Sequence, residues 1–123
     1  MASDIRSYRQ LIVWQKSMDA VVKVYELTRE FPNHELYCLT SQIRRAAISI
    51  PSNIAEGNAR ASSKDYLNFL AIAQGSLAEL ETQLELAKRL QYSQPWLIDD
   101  LCELLTEVDK MLAALRNSLQ RKN

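Results

Sequence analysis

The segment from Tyr66 to Ala87 reads YLNFLAIAQGSLAELETQLELA and carries the clearest periodicity in the chain. Its apolar side chains recur at alternating steps of four and three residues, at Tyr66, Leu70, Ala73, Leu77, Leu80, Leu84 and Ala87. These steps place the side chains on one face of an α-helix. Ser62 precedes Asp65 by three residues, a spacing typical of a capped helix N-terminus. The pattern therefore predicts a helix over about residues 63–91.

Three further segments show helical spacing. The first covers about 8–31, the second about 35–60 and the last about 95–120, where Pro95 suits the first helical position. Their apolar rows are, in chain order, Leu11, Trp14, Met18, Val21 and Tyr25; Leu39, Ile43, Ala46, Ile50 and Ile54; and Ile98, Leu101, Leu105, Val108, Leu112, Leu115 and Leu119. Because the connections are short and no strand pattern competes, we predict an all-α, up-down antiparallel four-helix bundle.

The composition is that of one compact domain. The chain has 123 residues, 47% of them hydrophobic, so we expect a single domain over 1–123. Fifteen basic residues balance fifteen acidic ones, which excludes binding of nucleic acid by bulk positive charge alone. No signal-peptide pattern and no apolar run of about 20 residues is present, so we expect no membrane contact. Cys38 and Cys102 lie in hydrophobic patterns, which indicates reduced, packed thiols in a cytoplasmic protein.

The second helix carries a narrow polar strip besides its apolar row. At about 100° per residue, the strip consists of Gln42, Arg45, Ser49, Asn53 and Glu56. The strip is either a solvated face or a buried or interfacial polar network. Ser and Asn are mediocre helix formers, and solvent faces elsewhere in the chain are made of Lys, Glu and Asp, which favours the network. A buried Arg45 would need a carboxylate, from Glu56, Glu79 or Glu81.

A second apolar strip lies on another side of the same helix. It is formed by Arg44, Ala47, Ile48, Pro51 and Ala55. A helix with apolar residues on two sides is typically packed between its own bundle and another molecule. We therefore interpret Ile48, Pro51 and Ala55 as subunit-interface candidates.

Two residues with low helix propensity lie inside the predicted helices. Pro51 lies inside the second helix and removes a backbone hydrogen bond, so we expect a kink there, with a break into two helices as the alternative. Gly75 lies inside the third helix and is followed by Ser76. Glycine destabilises a helix interior by about 1 kcal/mol, so Gly75 predicts a close crossing, with the second helix as the partner.

The sequence offers no catalytic or cofactor-binding set. His34 is the single histidine, and no Glu-x-x-His pair, phosphate-binding glycine loop or nucleophile motif is present. We therefore expect no enzymatic activity, no cofactor and no metal. Arg44, Arg60 and Lys64 gather around the second helix and the turn after it, whereas the third helix and the start of the fourth are acidic. These three cations are candidates for contact with nucleic acid; the alternative is that they are scattered surface charges.

Several blocks of sequence match a known family in order along nearly the whole chain. They are LIVWQK at 11–16, Phe31-Pro32, QIRRAAISIPSNIAEG at 42–57 and GSLAELE at 75–81. The chain resembles the four-helix bundle proteins encoded by intervening sequences of bacterial 23S rRNA genes. The resemblance implies a ring-shaped homopentamer without established enzymatic activity. It also points to a relative, the accessory variability protein of diversity-generating retroelements, a basic pentamer that binds nucleic acid and a reverse transcriptase.

The hypothesis that follows is a non-enzymatic, homopentameric scaffold that binds RNA or a nucleic-acid-bound protein through the side of Arg44, Arg60 and Lys64. This chain is neutral, unlike the basic relative. The alternative is a protein-only adaptor whose partner docks on the acidic surface of the third and fourth helices. A small-molecule site between the helices has the least support, because no convergent polar pocket can be named.

Overall fold

A computed structural model describes residues 7–121 and confirms the all-helical prediction. It contains four α-helices, α1 (Ile12–Thr28), α2 (Leu39–Asn58), α3 (Ser63–Arg89) and α4 (Pro95–Arg121). Two short 3-10 helices, Tyr8–Gln10 and Asn33–Glu35, precede α1 and α2. The described part of the chain has no strand.

The first two helices are shorter than the sequence pattern indicates. α1 begins at Ile12 rather than near residue 8, because Leu11 has an extended backbone (φ −75°, ψ 124°). It ends at Thr28 rather than 31, and Phe31, the residue whose helical backbone Pro32 disfavours, lies outside the helix. α2 begins at Leu39, where the carboxylate of Glu35 accepts a hydrogen bond from the Leu39 N–H at 3.2 Å.

Pro51 does not divide α2. The helix runs without interruption from Leu39 to Asn58 with Pro51 inside it, so the alternative of two separate helices is wrong. The Pro51 ring is buried within its own subunit.

The ends of α3 and α4 follow local rules. Ser62 Oγ accepts a hydrogen bond from the Asp65 N–H at 3.1 Å, as the capping pattern predicts, and α4 begins at Pro95. After α3, Gln91 adopts a left-handed backbone (φ 62°). This conformation lets the Tyr92 N–H reach the Ala87 carbonyl at 3.0 Å and satisfy a free carbonyl at the helix end.

The helices pack in sequence order around one core. α1 packs on α2, α2 on α3 and α3 on α4, and α4 closes the bundle against α1; the α2–α3 contact is the most extensive. The apolar rows predicted for α2, α3 and α4 supply most of the core. Its largest fully buried side chains are Val24, Ile43, Ile50, Ile54, Leu70, Leu77, Leu80, Leu84, Ile98, Leu105, Val108 and Leu112.

The row predicted for α1 is wrong, because its residues Leu11, Trp14, Met18, Val21 and Tyr25 are half-buried or exposed. α1 turns a neighbouring face inward and buries Val13, Ala20, Val24 and Leu27 instead.

The close crossing of α2 and α3 lies at Gly57, not at Gly75. A Cβ atom added to Gly57 would stand 2.8 Å from Phe69 Cβ and 3.0 Å from Tyr66 Cδ1. A Cβ atom added to Gly75 would meet nothing within 4 Å. The expectation for Gly75 is therefore wrong, because this residue faces outward, although its neighbour Ser76 does contact α2.

The second apolar strip of α2 is largely buried inside the subunit. Ala47 is 1% exposed, Pro51 is buried and Ala55 is half-buried, whereas Ile48 is 41% exposed. The interpretation of Pro51 as a subunit-interface residue is therefore wrong, because its own chain already covers it. α2 needs two apolar sides within one bundle because it packs against both α1 and α3.

A hydrogen bond ties the turn before α2 to the turn after α3. Tyr92 donates its hydroxyl proton to Glu35 Oε2 at 2.7 Å, and the Tyr92 ring packs against Phe31 with 5.6 Å between centroids. The Tyr92 hydroxyl, followed by the Leu39 N–H, lowers the pKa of Glu35. The same bond raises the pKa of Tyr92.

These shifts predict a pH window for stability. A carboxyl pKa lowered by folding stabilises the protein above its unfolded value of about 4.3, and this contribution is lost as pH falls through the folded value. A raised tyrosine pKa stabilises it below about 10 and is lost as pH rises further. We expect Tyr92→Phe to lower Tm at pH 7 and to lower it less at pH 3. Thermal melting across pH measures this, with Tyr37→Phe as the control because Tyr37 is 89% exposed. A Tm difference independent of pH would contradict the role of the bond.

The two thiols differ in environment. Cys102 is half-buried, and burial, with smaller contributions from nearby carboxylates, raises its pKa. Cys38 is exposed at the start of α2, so the expectation of two packed thiols is wrong for this residue. No helix within residues 7–121 is long and apolar enough to cross a membrane.

Candidate nucleic-acid interface

The three cations singled out in the sequence do not form one patch. Arg44 lies near the start of α2, roughly 20 Å of helix from its end, whereas Arg60 and Lys64 follow that end. Arg44 Nε donates a hydrogen bond to Thr28 Oγ1 at 2.9 Å, and its guanidinium lies 4.6 Å from the centre of the Tyr25 ring. Arg44 is thus half-buried and holds α1 against α2, which removes it from the candidate interface.

Arg60 remains accessible in the turn between α2 and α3. Its Nη2 lies 3.0 Å from Glu56 Oε2, and its guanidinium stacks 4.9 Å from the centre of the Phe69 ring. The Arg60 side chain is 46% exposed, and surface ion pairs of this kind contribute little stability. The guanidinium can therefore exchange Glu56 for another anion at small free-energy cost.

Lys64 shares a groove with an arginine that was not among the cations predicted from the sequence. Lys64 in the first turn of α3 and Arg116 near the end of α4 line one groove of about 440 Å³. Asn68 adds an amide to the wall, and Asp65 is the only acidic group among the lining residues. The packing of α3 on α4 brings these two positions together. The predicted up-down order of the helices is the signal that could have identified Arg116.

A chain of hydrogen bonds holds the Arg116 side chain in place. Its Nη1 donates a hydrogen bond to Gln74 Oε1, and Gln74 Nε2 in turn donates to Asp109 Oδ1 at 3.0 Å. The Nε atom is buried and has no hydrogen-bond partner among the described residues. A guanidinium fixed in this way loses little side-chain entropy when it binds a phosphate, so the groove is pre-organised on this side.

The polar strip of α2 is a network only in part. Asn53 Nδ2 donates to Ser49 Oγ at 2.9 Å, and the Ser49 and Ser76 hydroxyls share a hydrogen bond of 2.7 Å across the α2–α3 contact. Gln42, Arg45 and Glu56 are exposed. Arg45 and Glu79 border the same shallow groove, of about 300 Å³, without forming an ion pair. Within one subunit the network is therefore limited to the half-buried residues Ser49, Asn53 and Ser76.

The carboxylates and thiols do not converge on a reactive centre. Over the described range 7–121, no three His, Cys, Asp or Glu side chains are grouped so that they could hold a metal ion. Burial, and then the charge of Asp109, raises the pKa of Glu81. The chemistry that the arrangement offers is the binding of anionic oxygens by Arg60, Lys64 and Arg116.

Comparison with known proteins gives a family and a structural relative. The family model of the 23S rRNA-intervening sequence protein matches residues 9–114. A crystal structure from Bacteroides thetaiotaomicron VPI-5482, described as a protein with unknown function from the S23 ribosomal protein family, superposes with a TM-score of 0.80. The two chains are 29% identical, and the match covers 86% of this chain and 96% of the other. No curated protein matches the chain.

Proposed function

The chain belongs to the 23S rRNA-intervening sequence protein family, and from that premise we propose that it is a non-enzymatic, homo-oligomeric scaffold that binds RNA. In this proposal the protomer is an up-down bundle, kinked at Pro51, and five copies close into a ring in the cytoplasm. The RNA contacts the end of the bundle that carries Arg60, Lys64 and Arg116, and no metal or cofactor takes part.

One observation carries the RNA-binding part of the proposal. Lys64 and Arg116, 52 positions apart in a neutral chain, line the same groove. A fixed guanidinium next to a mobile ammonium is a combination that suits the phosphate oxygens of a nucleic acid backbone. Arg60 extends the positive surface from the adjoining turn, where its ring-stacked guanidinium is 46% exposed.

A ring also explains how a neutral subunit could bind a polyanion. A small positive end becomes a set of repeated phosphate contacts when it is copied around a symmetry axis, and simultaneous contacts raise the apparent affinity. Each phosphate contact releases counterions, so binding should weaken steeply as salt rises.

The RNA-binding proposal predicts that only substitutions in the groove reduce the affinity for RNA. We expect Lys64→Gln and Arg116→Gln to weaken binding of a labelled, structured RNA and to reduce the salt dependence of the binding constant by about one phosphate contact per chain each. Fluorescence anisotropy titrations at several salt concentrations measure both quantities. Lys110→Gln serves as the matched control, because Lys110 is an exposed cation on α4 outside this groove.

The outcomes separate this proposal from the protein-only adaptor. Absence of RNA binding by the unaltered protein at low salt, or equal losses in all three variants, would contradict the assigned interface. Capture of one protein partner that persists after nuclease treatment, together with no RNA binding, would support the adaptor instead. Because Arg116→Gln also removes a hydrogen bond to Gln74, its Tm is compared with that of Lys64→Gln.

A further inference from the structure

The 3-10 helix ahead of α1 and the first turn of α1 bring two aromatic rings and a guanidinium together. The rings of Tyr8 and Trp14 meet edge to face, with 5.2 Å between their centroids. The Arg9 guanidinium lies over both rings, 5.6 Å from the centre of Tyr8 and 5.8 Å from the centre of Trp14. We call Tyr8, Arg9 and Trp14 the N-terminal platform.

Hydrogen bonds on both sides of Arg9 fix the backbone of the platform. The Arg9 N–H donates to Ser7 Oγ at 3.2 Å, and Gln15 Nε2 donates to the Arg9 carbonyl oxygen at 2.8 Å. The Leu11 N–H donates to the Tyr8 carbonyl oxygen at 3.0 Å. A ligand that binds here therefore orders little additional backbone, which lowers the entropic cost of binding.

The platform offers a planar cation to solvent. Arg9 is exposed, and Tyr8 and Trp14 are half-buried. Because a guanidinium is planar and weakly hydrated, it stacks on flat rings while keeping its positive charge. Unpaired nucleic acid bases stack on aromatic rings and on arginine planes, whereas the bases of a duplex already stack on one another. The platform therefore suits an unpaired base with a phosphate nearby.

The platform lies at the end of the bundle that the proposed function assigns to RNA. The 3-10 helix packs on α1 and on α2. The contact of Arg44 with Tyr25 joins the start of α2 to the end of α1, so in the proposed up-down bundle the start of α1 lies beside the end of α2. Arg60 follows that end of α2.

A second guanidinium stacked on a ring lies at the same end. Arg60 lies over the Phe69 ring at 4.9 Å, and its side chain is 46% exposed. Within residues 7–121, the arginines that lie over aromatic rings are Arg9, Arg44 and Arg60, and of these only Arg44 is half-buried. The exposed arginine–aromatic contacts are therefore confined to the end proposed to bind RNA, which attraction between charges alone does not require.

The opposite end of the proposed bundle has an exposed aromatic ring in a different setting. Trp96 is 60% exposed at the start of α4. The cations nearest to it along the chain, Lys88 and Arg89, form ion pairs with Asp99 and Glu85. A base that stacked on Trp96 would bring its phosphate towards carboxylates, so Trp96 is a poor stacking position for RNA.

We propose that the N-terminal platform stacks an unpaired base of the bound RNA, while Arg60 and the groove of Lys64 and Arg116 hold phosphates of the same strand. This inference rests on the RNA binding of the proposed function and names the class of RNA. The protein selects RNA with unpaired bases over a continuous duplex, because only unpaired bases have a free face to stack.

Two RNAs that differ only in their bases test the stacking. One is a labelled hairpin with a short single-stranded tail, and the other is the same hairpin with an abasic tail, which keeps every phosphate. We expect the unaltered protein to bind the tail with bases about tenfold more tightly, a factor within the range for stacking of one base. Fluorescence anisotropy titrations at constant salt measure both affinities.

Arg9→Lys separates the guanidinium plane from its charge. Lysine keeps the cation but has no plane on which a base can stack, so we expect this variant to bind the two RNAs almost equally. Tyr8→Leu, which removes a ring and keeps an apolar side chain, should act in the same direction. Arg89→Lys is the matched control, because it makes the same change to an exposed arginine outside the platform, and it should keep the preference.

The contrary outcomes are distinct from a failure of RNA binding. Equal binding of the two RNAs by the unaltered protein, a preference that either platform variant retains, or an equal loss of preference in Arg89→Lys overturns the stacking and leaves RNA binding by the groove standing. Absence of binding to either RNA at low salt overturns both. Circular dichroism checks that the variants fold, and the comparison of the two RNAs with the unaltered protein needs no variant.

Discussion

Substitution of Gly57 by alanine should destabilise the protein by about 2 kcal/mol, although alanine is the better helix former. The new methyl group would stand 2.8 Å from Phe69 Cβ, an atom that the backbone of α3 holds in place, and 3.4 Å from the Tyr66 carbonyl oxygen. Relief requires α2 and α3 to move apart, and such overpacking destabilises by about 1–3 kcal/mol. Chemical denaturation of Gly57→Ala and the unaltered protein measures the difference.

Gly75→Ala is the matched control, since it makes the same chemical change inside a helix. Apart from the adjoining backbone of α3 itself, no atom of the described chain lies within 4 Å of the added methyl group, so the helix propensity of alanine acts without opposition. We expect Gly75→Ala to stabilise the dilute protein by about 1 kcal/mol. Shifts of the same sign in both variants would contradict the placement of the α2–α3 crossing at Gly57.

The second large effect concerns two isoleucines of α2 that are two positions apart. Ile50 is 1% exposed in the core, and truncation to alanine leaves a cavity that cannot fully collapse. We expect Ile50→Ala to destabilise the protein by about 3 kcal/mol, within the range measured for buried aliphatic truncations. The change in denaturation midpoint at constant slope gives this value.

Ile48→Ala supplies the comparison, because Ile48 is 41% exposed. Its truncation should change the stability of the dilute protein by less than about 1 kcal/mol. The proposed homo-oligomer, with Ile48 as an interface candidate, further predicts that Ile48→Ala makes stability less dependent on protein concentration, because it weakens association. Equal destabilisation by Ile48→Ala and Ile50→Ala would place Ile48 in the core.

The helices were predictable because their determinants are local. Apolar spacing identified all four, and Ser62 and Pro95 marked two beginnings where the structure has them. The ends of α1 and the start of α2 were less predictable. They depend on the extended backbone of Leu11 and on a cap that Glu35 supplies from outside the helix, neither of which apolar spacing reports.

The candidate site was predictable only in part. Arg60 and Lys64 lie beside the same turn, so proximity in sequence was a valid guide for them. The Arg44 side chain is held against α1 by its contacts with Thr28 and Tyr25. Arg116 lies in the same groove as Lys64 because α3 packs on α4. These contacts join residues that are distant in the sequence. The orientation of a side chain on a helix depends on the groups of the neighbouring helix, so the sequence pattern alone does not predict it.

The sequence by itself determined the four helices, the apolar rows of α2, α3 and α4 and the family, because spacing and motif order are properties of the chain. It did not determine which side of α1 faces the core, because that helix carries apolar residues on more than one side. Tertiary structure decided which glycine lies at the helix crossing, which side of α2 is covered and which cations share a groove. Gly57 and Gly75 both lie inside helices, and the positions of Tyr66 and Phe69 distinguish them. Steric exclusion and charge act through distances of a few ångströms, and helix packing sets those distances.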